Sequence, residues 1–195
     1  MSVHNRSTSQ EKIALFRSLF RGRQDVYPVR FESRKTGKQG YSPACANEWV
    51  RGVCAKPKIS CGACRHQKFP PVTDAVIHQH LAGDGESSDD FVIGVYPMLQ
   101  DETYYFLAID LDESSWQEDA SAVSETCRNL KIPVAVERSR SGNGAHIWIF
   151  FKEPIAATIA RRLGTHILTV TMERWPDIGL GSYDRLFPNQ DTLPS

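Results

Sequence analysis

Two groups of residues have the types and spacing for metal chemistry. The first is acidic: Asp110 and Asp112, in the stretch Ala108-Ile109-Asp110-Leu111-Asp112-Glu113. Residues two apart in a strand share a face. The two carboxylates therefore point one way, while Ile109 and Leu111 point into a core. Adjacent carboxylates repel, and one tends to keep a proton. A divalent cation removes the conflict, and oxygen donors suit Mg²⁺ or Mn²⁺. The plainer alternative is a strand that runs into a solvated acidic turn. The second group is Cys45, Cys54, Cys61 and Cys64, spaced C-x8-C-x6-C-x2-C. Four thiolates make a tetrahedral zinc site. Cys61 and Cys64 supply two ligands from one turn around Gly62, and a turn at Gly52 allows Cys54 to fold back. A set made only of cysteines points to a closed, structural site. His66 is the alternative for one of the four.

A third group suits an anion. Glu137 to His146 reads Glu-Arg-Ser-Arg-Ser-Gly-Asn-Gly-Ala-His. Asn143-Gly144 is a strong hairpin signal. Arg138, Ser139, Arg140, Ser141 and Gly144 surround the turn, and His146 stands at the mouth of the next strand. Turn N–H groups and an imidazole can hold phosphate oxygens. A histidine that merely ends a strand is the plainer reading.

These residues need elements to position them. Thr8-x-x-Glu11 is a capping box ahead of the helical stripe Ile13, Phe16, Leu19 and Phe20. A strand is expected over 26–31 and a short helix over 73–81, followed by a polar loop over 83–90. Beta-rich runs cover 91–96 and 103–110. Ser115-x-x-Glu118 reads as a second capping box, opening a helix with Trp116, Ala120, Val123, Cys127 and Leu130 on its apolar side. Strands are expected over 133–137 and 145–151. Pro154 then starts a long helix with Ile155, Ile159, Leu163 and Ile167 on one side. The end after Gly179 and Gly181 reads as irregular. The order β-β-α-β-β-α predicts an α+β fold, with helices on one face of a mainly antiparallel sheet. Three segments follow: an N-terminal helix and basic segment (1–40), a four-cysteine zinc module (41–71) and a catalytic core (72–195).

Composition narrows the class. The chain has 195 residues, 41% hydrophobic, with 23 basic and 23 acidic side chains. That balance argues against a general nucleic-acid coat, yet residues 16–40 hold seven basic residues (Arg17, Arg21, Arg23, Arg30, Arg34, Lys35, Lys38) against Asp25 and Glu32. Acidic residues gather over 84–90 and 101–119. A basic segment facing a polyanion and an acidic one facing cations fit a nucleic-acid enzyme. No apolar run approaches a membrane span, and residues 1–10 lack a signal peptide's apolar stretch. A cytoplasmic setting is expected, where thiols stay reduced and clustered cysteines favour metal. Cys127 sits on an apolar stripe as a core residue.

An Asp-x-Asp strand, a helix, and a hairpin with a histidine opening its second strand together resemble the archaeo-eukaryotic primase superfamily. Within it the chain is most similar to the primase domain of TOTE conflict systems, itself similar to CRISPR-associated primase-polymerases. The strings GYSPACANEWVRGVC with CGAC, IGVYPML, FLAIDLDE, ERSRSGNGAHIWIFF and SYDRLFPNQDTLP carry the resemblance. It implies an RRM-like primase-polymerase core that makes DNA or RNA on a template by two-metal nucleotidyl transfer. The implied partners are a DNA template and primer, nucleoside triphosphates, and a fused or associated helicase. Asp110 and Asp112 match the family's metal-binding pair, and His146 its triphosphate-contacting histidine. Arg185 falls among the nucleotide-binding positions. A third motif supplies a further metal-binding aspartate, placed at Asp191 with Asp184 as the alternative. Gly144 stands where the family often has serine. The family continues past the third motif, so the resemblance implies a core truncated at its C-terminal end.

Two other classes use the same residues. A replication-initiator or nuclease-like protein would pair the carboxylates with a nucleophile, for which Tyr183 is the candidate. A non-catalytic zinc-dependent module would bind nucleic acid without needing Asp110 or Asp112.

Overall fold

The computed structural model describes residues 3–33, 35–83 and 91–193. Most of the 83–90 loop, and Arg34 of the basic segment, lie outside them. The chain forms two compact units, Met1–Tyr96 and Pro97–Ser195.

The first unit opens with α1 (Ser9–Leu19), whose capping box forms as expected: Thr8 and Glu11 bond each other's backbone N–H groups. A two-stranded ribbon, β1 (Pro28–Glu32) and β2 (Gln39–Pro43), follows. The cysteine segment comes next, built from turns. Helix α2 (Asp74–Ala82) is capped by Thr73 and closed by Gly83 in the left-handed region. The β-rich run 91–96 is not a strand of the main sheet. It lies beside β1 through a single bridge, Val29 to Ile93, with Arg30 N–H donating to Val92 O.

The second unit is a four-stranded antiparallel sheet in the order β4-β5-β3-β6. Its elements are β3 (Thr103–Asp112), α3 (Trp116–Asn129), β4 (Ala135–Arg138), β5 (Gly144–Ala156), α4 (Ala157–Arg174) and β6 (Tyr183–Phe187). This is the β-α-β-β-α-β pattern of ferredoxin-like sheets. The mixed, antiparallel class is the expected one, but its first and last elements change. The run at 91–96 is lost to the first unit, and β6 arises from the end read as irregular. That end shows no alternation of its own, because four of its five strand residues stay partly or well exposed.

One layer of the core comes from alternate strand positions: Leu107, Ile109, Leu111, Ala145, Ile147 and Ile149. Val123 and Cys127 of α3 and Ile167 and Leu168 of α4 cover it. Each fully buried Leu or Ile there contributes about 1.5–3 kcal/mol. Cys127 is fully buried as expected, and burial pushes its thiol up to about 11.

Two local expectations are corrected. The hydroxyl of Ser115 does not cap α3, since it donates to Asp119 Oδ2 instead. Pro154 does not begin α4 either. The strand pairs on through Ala156, with Ile155 opposite Tyr104. Ile159 of the supposed apolar stripe is 57% exposed. The buried face of α4 runs through Ala160, Gly164, Ile167, Leu168 and Thr171. Close approach explains it. A Cβ on Gly164 would sit 2.6 Å from Leu186 Cδ1 and 3.0 Å from Leu107 Cδ1. The helix meets the sheet through small residues, which a hydrophobic-period reading passes over.

Candidate active site

β3 is flanked by β5 and β6, and its register sets the site. Asp110 pairs with His146 on one side and Arg185 on the other, and Asp112 pairs with Gly144. The strand that carries the carboxylates thus has an imidazole on one flank and a guanidinium on the other. β3 ends as Glu113 turns into the left-handed region, at φ 74°.

Among the described residues one group of three potential ligands has its ligand atoms all within 4.8 Å of one another: Asp110, Asp112 and Asp184. The expected pair is joined by Asp184, the alternative third ligand. Asp191 is engaged elsewhere, 2.8 Å from Arg161 Nη1. His146 Nε2 lies 3.4 Å from Asp110 Oδ1, and Arg185 Nε 3.9 Å from Asp110 Oδ2. Arg185 also pairs with Asp184. Burial pushes the Asp110 carboxyl above its usual range. His146 pulls it back, while Asp112 and Asp184 push it up further. The His146 ring is held above its ordinary value by its hydrogen bond to Glu137, opposed by burial and helped by Asp110. Three clustered carboxylates, of which Asp110 is partly buried and the other two exposed, suit a hard divalent cation.

A buried network fixes where Asp184 stands. Asp119 is buried, and its Oδ2 accepts from Ser182 N–H at 3.1 Å, Ser182 Oγ at 2.6 Å and Ser115 Oγ at 2.9 Å. Ser182 O in turn accepts from Asp112 N–H at 2.6 Å. One carboxylate on α3 therefore ties the entry of β6 to the end of β3. Sequence reasoning missed Asp119, because the capping pattern drew attention to Glu118. Glu137 was also missed as a site residue. Only strand pairing shows that it faces His146.

The turn before His146 is closed on itself. Arg138 donates Nε–H and Nη2–H to Gly142 O, at 3.0 and 2.8 Å, and its guanidinium lies 5.9 Å from the Trp116 ring. The Ser139 and Ser141 hydroxyls are 3.0 Å apart. N–H groups of Ser139, Gly142 and Asn143 bond within the turn. Arg140 is exposed at its tip. Gly144 is required for a different reason. A Cβ there would lie 2.6 Å from Asp112 Oδ1 and from Leu111 O. A serine at this position would strike the carboxylate it accompanies.

Tyr183 adjoins Asp184 on β6. Burial and that carboxylate both push its phenol up, the wrong direction for a phenolate nucleophile. In the first unit, Cys45, Cys54, Cys61, Cys64 and His66 line one cavity. Backbone N–H groups donate to sulfur there, His66 to Cys64 Sγ and Lys68 to Cys45 Sγ, each at 3.4 Å. None of the cysteines is paired in a disulfide. The sulfurs are gathered, but no three of these described residues form a group at mutual ligand distance. No described helix is long and apolar enough to cross a membrane.

An acidic triad set between an imidazole and a guanidinium on a β-α-β-β-α-β sheet defines a class: an α+β domain with an antiparallel sheet that brings carboxylates and nitrogen-bearing side chains together. The chain belongs to the archaeo-eukaryotic primase domain family of TOTE conflict systems, whose model matches residues 11–195. A solved structure similar to it is the polymerase domain of Mycobacterium tuberculosis ligase D in complex with DNA. The identity is 13% and the TM-score 0.46, over 86% of this chain and 62% of that one. The chain thus spans less than two thirds of that relative's length. No curated protein matches.

Proposed function

We propose that this chain is the catalytic core of a DNA primase-polymerase, performing template-directed nucleotidyl transfer from nucleoside triphosphates. The observation that carries the reading is the convergence of Asp110, Asp112 and Asp184 beside His146 and Arg185. The three carboxylates would hold Mg²⁺ or Mn²⁺, two of which supply nucleophile activation and charge neutralisation in phosphoryl transfer. The residues of the chain do the rest. His146 and Arg185 hold the triphosphate and offset the charge of the carboxylates before metal arrives. Arg138 braces the turn, and Arg140, Ser139 and Ser141 face the nucleotide. Gly144 leaves room for Asp112. Asp184, not Asp191, is the third ligand.

Cys45, Cys54, Cys61 and Cys64 would hold a structural zinc. The shared cavity and the N–H···S bonds support this, since such bonds stabilise thiolates. A module of turns also lacks a core of its own. DNA template, primer and nucleoside triphosphates are the partners this reading requires, and a fused or associated helicase is the one the family adds.

Primer extension with labelled nucleotide and Mn²⁺ tests the reading. Wild type should extend, and Asp112→Ala and Asp184→Ala should not, while Asp191→Ala keeps most activity. Failure of the Asp191 variant beside an active Asp184 variant would reverse the third assignment. His146→Ala should weaken nucleotide binding roughly 10- to 150-fold, the equivalent of about 1.5–3 kcal/mol for a charge-assisted contact. Unchanged nucleotide affinity would remove His146 from the pocket.

A further inference from the structure

Glu137 lies on β4, the edge strand, and stands opposite His146 in register. His146 stands opposite Asp110. The three form a row across the sheet: carboxylate, imidazole, carboxylate. One oxygen, Glu137 Oε2, faces both His146 Nδ1 at 3.3 Å and Trp148 Nε1 at 2.9 Å. An indole nitrogen only donates, and an ionised carboxylate only accepts. Its bond to His146 lowers the Glu137 carboxyl below its usual range, which keeps it ionised. Of the two carboxylates at the ring, Glu137 is the one within hydrogen-bond geometry, so in the neutral ring we assign the hydrogen to Nδ1, with Nε2 as the opposite edge of the imidazole. That edge is the one turned to Asp110.

We propose that Glu137 is the positioning residue of this site. It accepts the Nδ1 hydrogen and fixes the plane of His146, so that in the charged ring Nε2–H is the group presented to the bound nucleotide. This role rests on the nucleotidyl-transfer reading, although the tautomer itself does not. The grip is braced. Trp148, held by the same oxygen, stacks on Phe150 at 6.2 Å and 8°, and meets buried Phe106 edge-on at 5.6 Å. Glu137 is thus anchored through Trp148 independently of His146, and its second anchor is a rigid aromatic cluster. The Glu137 side chain is 55% exposed, so a packing role does not account for the arrangement. Carboxylate partners orient functional histidines in this way, and for metal-ligating histidines their loss costs roughly 10- to 100-fold in metal affinity or activity.

The test combines spectroscopy with kinetics. Imidazole nitrogen resonances of His146, recorded in alkaline buffer where the ring is neutral, should show the Nδ1–H tautomer in wild type. Glu137→Ala should give a tautomer mixture, and Glu137→Asp should restore Nδ1–H in part. In extension assays Glu137→Ala should raise the nucleotide KM roughly tenfold, change kcat less and leave the melting temperature unchanged, with Glu137→Asp intermediate. An Nε2–H tautomer in wild type overturns the proposal, as does a KM unchanged by Glu137→Ala. If the tautomer follows Glu137 but wild type incorporates no nucleotide, the positioning of His146 stands and the polymerase reading falls. A tautomer that ignores Glu137 in an active enzyme does the reverse.

Discussion

The two ligand-rich clusters differ in what holds them. Asp110 and Asp112 are placed by strand register, with fully buried Ile109 and Leu111 alternating with them, and Asp184 stands where the β3-β6 register shifts. The cysteines are placed by turns, and each is only partly buried. A sheet gathers like charges against the stability of its hydrophobic core and needs no ion to fold. A string of turns has little core, and the proposed zinc would supply its order. The same contrast assigns roles: preformed geometry suits catalysis, and closure around a metal suits architecture.

The sharpest way to break this comparison is to remove zinc. Structural zinc contributes on the order of 10 kcal/mol in small modules. Chelation, or Cys61→Ser or Cys64→Ser, should abolish hydrogen-exchange protection over 41–71 and leave β3 and β5 protected. Protection that survives in 41–71 without metal would make the two clusters alike.

Gly144→Ala probes the sheet-built site. The added methyl meets the Asp112 carboxylate and the Leu111 carbonyl. Displacement near the reacting atoms costs about 100-fold in rate, and the overpacking about 1–3 kcal/mol in stability. Kinetics well below the melting transition should show the rate loss in fully folded protein. Normal rates would mean that β3 can shift freely, contrary to a preformed site.

Asp119→Ala should have a smaller effect. It strips the acceptor from the buried Ser182 donors, at about 1–3 kcal/mol. Mn²⁺ affinity should fall with it, because Ser182 ties β6 to Asp112. Asp119→Asn keeps an acceptor and should lose less on both counts. Calorimetry for stability and Mn²⁺ titration for affinity read the two. Full Mn²⁺ affinity in Asp119→Ala would show that Asp184 is placed without the Asp119 network.

The smallest effect belongs to the first unit. Thr8 lowers the Glu11 carboxyl through backbone and side-chain hydrogen bonds. A depressed acid contributes stability above its unfolded pKa, and that contribution is lost as pH falls through the folded one. Amide exchange in the first turn of α1 should therefore quicken on acidification across the acid side of the carboxylate range. Thr8→Ala should remove the dependence, and a pH-independent rate in wild type would discount the capping box.

Short-range rules make several parts legible in the sequence: the α1 capping box, the shared face of Asp110 and Asp112, the hairpin before His146, and buried Cys127. Each depends on residues a few positions apart, where period and turn chemistry operate. The same rules mislead where tertiary contact overrides them. Ser115 bonds Asp119 because Ser182 shares the same oxygen. The 145–151 strand runs on to Ala156 because β3 offers partners at Thr103 and Tyr104.

By itself the sequence determined which residues have ligand chemistry and which local elements bear them, since side-chain type and periodicity are local properties. Only the tertiary structure decided their company. The choice of Asp184 over Asp191 within the acidic group and the need for glycine at 144 arise from pairing between strands far apart in the chain, and the bond from Glu137 to His146 from the register of the β4-β5 hairpin. The long-range pairings follow from which faces bury together, and no window of neighbouring residues contains that information.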